Sequence, residues 1–141
     1  MIQYKDNGNL SVVHALGAVV ATSDTNSASA DLKEHDSALL IANFGVTGDT
    51  LSSSVKVEAE VQHSDDNSSW SACADADISS SVTGTNTGTF AVVDAAADDD
   101  ATYTTSYLGR ERYVRIVFNF TGTHSNGIEI AGNIVRGRAK Y

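Results

Sequence analysis

From Val55 to Val61 the chain reads Val-Lys-Val-Glu-Ala-Glu-Val, the alternation of a strand with one buried face and one wet face. It runs directly into His63-Ser64-Asp65-Asp66-Asn67-Ser68-Ser69, side chains that favour turns, and then into Trp70, a large aromatic expected to bury itself. With a return strand over Trp70 to Ala74, this is a hairpin. A second alternation, Tyr113 to Phe120, puts Val114, Ile116, Phe118 and Phe120 on one face and Arg115 and Asn119 on the other. Amphipathic strands direct the search for function to an all-β surface rather than a helical pocket.

Further segments extend the pattern. Ser37 to Phe44 is a nearly continuous apolar run ended by Gly45 and suits a central strand buried on both faces. Phe90 to Val93, Thr102 to Leu108 and Ile128 to Val135 read as strands, the last with a bulge at Gly132. Ala72 to Thr89 is small and polar and reads as a flexible or surface loop, and Ala95 to Ala101 as an exposed acidic one. Seven or eight mainly antiparallel strands and no long helix predict a β-sandwich or jelly roll. At 141 residues the chain makes one core. Residues 36–141 are assigned to the sandwich and 1–35 to a partly irregular N-terminal arm, in which Leu10 to Ala21 reads as a strand or a short helix.

Aromatics are few while Ala, Ser, Thr, Val, Asp and Gly dominate, so the core of one subunit is thin in large side chains. Oligomerisation is expected to supply the missing buried area. Without proline, strand edges must be guarded by charge or by partners. A single cysteine, Cys73, excludes an internal disulfide and reads as a small buried hydrophobe near Trp70. Net charge is −9 and unevenly spread: sixteen acidic and three basic residues precede Arg110, whereas six basic residues and two acidic ones follow from there. An acidic body of this kind argues against nucleic acid as a partner. No apolar run approaches the roughly 20 residues that cross a bilayer, so a soluble chain with no membrane partner is expected. His14 interrupts Leu10 to Ala21 and no basic start precedes it, so no secretory signal is predicted.

Candidate chemistry is sparse. Asp94, Asp98, Asp99 and Asp100 offer oxygen ligands, but the spacing of a calcium loop is missing and a solvated acidic loop is the expectation. His14, His35, His63 and His124 stand apart from any second ligand at metal-binding spacing. His35-Asp36-Ser37 has the letters of a triad, yet neighbours in a strand point to opposite faces and do not converge. No nucleophile elbow, phosphate loop or dinucleotide fingerprint occurs, so neither an enzyme nor a cofactor is expected. Arg112 and Arg115 either pair with acids on neighbouring strands or reach a partner subunit, where arginine is enriched.

Three stretches carry a resemblance: Asp31-Leu32-Lys33-Glu34-His35-Asp36-Ser37-Ala38, Val57 to Trp70, and Arg112-Tyr113-Val114-Arg115-Ile116. Over roughly residues 30 to 120 the chain resembles small capsid decoration, or cement, proteins of tailed bacteriophages. That resemblance implies a β-sandwich oligomer, often a trimer, on the outer surface of the virion head, with the major capsid protein and copies of itself as partners and no catalytic residues. The expected gripping elements are the arm, with Leu10, Val12 and Val13, and the basic tail of Arg136, Arg138 and Lys140; Arg112 and Arg115 are the other partner-facing candidates. The same stretches look like pieces of discoidin-type carbohydrate-binding jelly rolls, which leaves a sugar-binding module as the alternative, with Trp70 expected in the core instead. A tail or fibre accessory domain is a further alternative.

Overall fold

The computed structural model describes residues 10–139. In chain order the strands are β1 (Ser11–Ala21), β2 (Thr25–Asn26), β3 (Ala30–Asp31), β4 (His35–Phe44), β5 (Lys56–Ser64), β6 (Ser71–Ala72), β7 (Thr89–Val93), β8 (Ala101–Tyr107), β9 (Tyr113–Thr121) and β10 (Ile128–Ala139). The two alternating segments, β5 and β9, pair antiparallel along their whole length, with Lys56 opposite Thr121 and Ser64 opposite Tyr113. Short strands flank them: β2 and β3 on the β9 side, β6 and β7 on the β5 side. The other sheet runs β1-β10-β4-β8, so the chain's first and last long strands lie side by side. Together the two antiparallel sheets make a β-sandwich, with strands numbering above seven or eight because β2, β3 and β6 are two-residue pieces.

The core lies between the sheets. Leu40, Ile128, Ile130 and Ile134 meet Val57, Val61, Val114, Ile116 and Phe118, all fully buried. Burial of each such side chain contributes on the order of 1.5–3 kcal/mol. Phe44 packs edge-on against Phe118 and Tyr103, at ring separations of 5.6 and 5.8 Å. Cys73 is buried in this cluster, as its sequence context predicts. At Gly88 (φ +74°) a Cβ would lie 2.7 Å from Cys73 Sγ, so only glycine fits where the chain enters β7.

Several expectations change. Residues 11–31 are not an arm: β1 pairs with β10 in one sheet, while β2 and β3 pair with β9 in the other. Buried Ser27 explains the break between β2 and β3, since its hydroxyl accepts from Ile116 N–H while its own N–H donates to Ile116 C=O. Gly132 marks an irregularity, but the extra residues are in β1, on either side of Leu16. In β4, Ala38, Leu40, Ala42 and Phe44 are buried, whereas Leu39, Ile41 and Asn43 on the opposite face are half-buried.

The wet face assigned to β5 is also covered. Glu58 and Glu60 are each 1% exposed, because the 82–89 segment crosses over them as a strap. Thr85 donates to both Glu58 oxygens, from N–H at 2.8 Å and from Oγ1 at 2.7 Å. Glu60 accepts from Asn86 Nδ2 and Gln62 Nε2, both at 2.7 Å. Carboxylates buried without such donors would be strongly unfavourable, so these bonds are what lets the strap close.

Candidate functional site

One end of the sandwich gathers most of the candidate residues, because the strand registers bring them there. Ser11, at the start of β1, lies opposite Arg136 near the end of β10, and Ala139 lies opposite His35 at the start of β4. The turn between β3 and β4 and the turn between β8 and β9 complete this pole. Asp31 is its hub. Arg112 grips the Asp31 carboxylate with Nε at 2.9 Å and Nη2 at 2.8 Å, and Lys33 N–H donates to the same carboxylate at 2.9 Å. Chiefly through the Arg112 hydrogen bond, the Asp31 carboxyl is held at about 2. Arg136 donates to the Asp31 carbonyl at 3.1 Å and to Ser11 Oγ at 2.6 Å.

Beside this hub is an open cleft of about 610 Å³ between residues 32–37 and residues 107–112. Its charged wall is balanced: Lys33, Arg110 and Arg112 face Glu34, Asp36 and Glu111. Glu34 at its rim has φ +70°, a conformation a non-glycine residue adopts at some cost. At the cleft floor the Tyr107 hydroxyl is engaged by His63 Nδ1 at 2.8 Å and by Glu111 N–H at 3.1 Å. Burial pushes that hydroxyl up to about 12, so it stays protonated at neutral pH.

The structure brings the start of β1 and the Arg136 end of β10 together at this pole. Leu10 and Val12 are 48% and 65% exposed at the start of β1, directly beside the end of β10 that carries Arg136. Val13 is half-buried, faces inward opposite Ile134 and packs on the core. Arg138 belongs to the β10 backbone, and Lys140 lies outside the described residues. Arg112 pairs with an acid, as one of its two expected roles required. Arg115 sits apart, on the outer face of the β5–β9 sheet, where both Nε and Nη2 donate to Gln62 Oε1. Asp31 and Ser11 escaped sequence reasoning; each meets its partner across more than 80 residues, and no local pattern signals it.

Trp70 corrects another expectation. It is half-buried rather than in the core, and the Arg115 guanidinium lies 4.4 Å from its ring centroid. At the pole away from Asp31, Asp49 accepts from Asn126 and Gly127 N–H at 3.0 and 2.8 Å, and those bonds lower its pKa. Asp99 accepts from Thr47 N–H at 3.0 Å, so part of the acidic run is turn structure. Among the described residues no three His, Cys, Asp or Glu side chains come together as a metal site. No protein-family model, curated protein or solved structure matches the chain.

Proposed function

We propose that this protein is a virion structural protein: a decoration, or cement, protein that binds the outside of a tailed-phage head through the major capsid protein and contacts copies of itself. The observation that carries the reading is the meeting of β1 and β10 at one pole, where exposed Leu10 and Val12 stand beside Arg136 and the Asp31–Arg112 pair. Exposed apolar side chains beside arginines at one compact end support its reading as a gripping surface. The resemblance of residues 31–38, 57–70 and 112–116 to such proteins supports it, and a trimer is the form that resemblance implies. Strand order adds a further strand of support. With β2 and β3 taken as one interrupted strand, the two-residue β6 left out and β7 placed beside β5, the sheets read 1-8-3-6 and 2-7-4-5, an order that supports the jelly-roll reading.

A cement protein acts by linkage. Because it binds the closed shell across joints between subunits, opening the shell must also break its contacts, which lowers the free energy of the closed state. Several grips on one oligomer then make release far slower than release of any single grip. Co-sedimentation of the purified chain with heads of the phage that encodes it is expected to be saturable, and to raise the temperature at which those heads release DNA. Absence of both effects overturns the proposal.

The half-exposed Trp70 supports one second reading, carbohydrate binding, since an indole at the surface, with the Arg115 guanidinium over its ring, is the kind of platform a sugar stacks on. Binding to a glycan array that is lost in a folded Trp70→Ala variant, with no binding to heads, would replace the first reading with this one.

A further inference from the structure

Resting on the reading of the chain as an assembling structural protein, we infer that the outer face of the β1-β10-β4-β8 sheet is the surface through which one copy of this chain meets the next. The ladder registers line up its side chains in rows. Val12, Val135, Leu39 and Ser106 form one row; His14, Asn133, Ile41 and Thr104 form the next; Ala131, Asn43 and Thr102 form a third. None of these eleven is Asp, Glu, Lys or Arg, in a chain with eighteen acidic and nine basic residues. The apolar members are contiguous: Val12, Val135, Leu39 and Ile41 adjoin one another, and Leu10 flanks them over Gly137.

Charge selects the occupant. A partner rich in basic groups would be drawn to the acids that cover other parts of this molecule, not to a face without them. A second copy, itself at −9, faces the opposite constraint: contact is least opposed where neither side brings carboxylates. The sandwich offers one such area, the three rows above, with Glu129, exposed on the same face opposite Val20 and beside Gly45, at its edge. Its opposite outer face carries Lys56, Glu58, Glu60 and Arg115 and is already crossed by the 82–89 strap. Four strands at ~4.8 Å and about seven residues at ~3.3 Å give a face of roughly 19 by 23 Å, on the order of 440 Å² per copy. That is at the low end for a specific contact, so the copies associate weakly when free and firmly when held side by side on a shell.

The test is a concentration series of the full chain by sedimentation and light scattering, beside Thr102→Glu and Thr104→Glu. Both positions are exposed, so both variants are expected to keep the wild-type circular dichroism and melting temperature. Wild type is expected to gain mass with concentration, and each variant to associate at least tenfold more weakly. Ser53→Glu, on an exposed turn away from this face, is expected to behave as wild type. A wild type that stays monomeric throughout, or association unmoved by both variants, overturns the inference. Variants that still associate but lose binding to phage heads would assign this face to the shell, overturning the inference while leaving the proposed function intact. Association through this face in a chain that binds no heads would sink the function and leave the inference standing.

Discussion

A single carboxylate ties four segments of chain together at the terminal pole. Asp31 binds Arg112 and the Lys33 N–H through its side chain, and its carbonyl takes Arg136, which in turn reaches Ser11. Its folded pKa of about 2 lies below the ordinary 3.8, so folding favours the ionised form. The resulting stability is fully present above about pH 3.8 and is lost as pH falls through about 2. Solvent screens this half-exposed pair, which keeps its contribution small. Arg112→Met is therefore expected to unfold at slightly lower urea concentration than wild type at pH 7, and at the same concentration near pH 2. A gap that persisted near pH 2 would mean that Arg112 acts by packing on Tyr113, whose ring centroid is 4.9 Å from its guanidinium carbon.

At the level of elements, the strap over β5 is held by its ends of contact rather than by its own sequence. Glu58→Ala would leave Thr85 N–H and Oγ1 without their acceptor while Lys56 loses its neighbour at 3.5 Å. Hydrogen exchange at the Thr85 amide is expected to rise about tenfold, the factor that ~1.4 kcal/mol represents, with β9 and β10 amides little changed. Uniform acceleration across all strands would instead show that the strap and the core open as one unit. This element also shows where sequence stops being legible. The alternations of β5 and β9 were readable because a one-sided core face imposes a local period, and β4 because a short apolar run ended by Gly45 marks a strand. The strap read as a loose loop because its partners lie 26 and 27 residues away. For the same reason Glu58 and Glu60 read as wet. β1 was ambiguous because the extra residues around Leu16 break its period, and with it went the pole that joins β1 to β10.

Across the whole molecule, the uneven charge of the sequence becomes a direction in space. Strands β4, β8 and β10 run the length of their sheet, so residues early in β4 and late in β8 and β10 share one pole. That pole holds Lys33, Arg110, Arg112 and Arg136, balanced by nearby acids. At the far pole the turns bearing Asp49, Asp99 and Asp100 are bonded to one another through Thr47, Gly45 and Gly127. A shell whose outer surface is acidic would orient such a molecule with the Asp31 pole inward and the far pole toward solvent. Arg138→Gln with Lys140→Gln, which spares the internal bonds of Arg136, is then expected to weaken binding to phage heads and to flatten its dependence on salt. Asp99→Asn, at the other end, is expected to leave the salt dependence as it is, because a charge several Debye lengths from the contact, at ~8 Å each in physiological salt, contributes almost nothing. Equal slopes for wild type and the basic-tail variant would turn the molecule around, since the pole bearing the chain's basic groups would then not be the one that meets the shell.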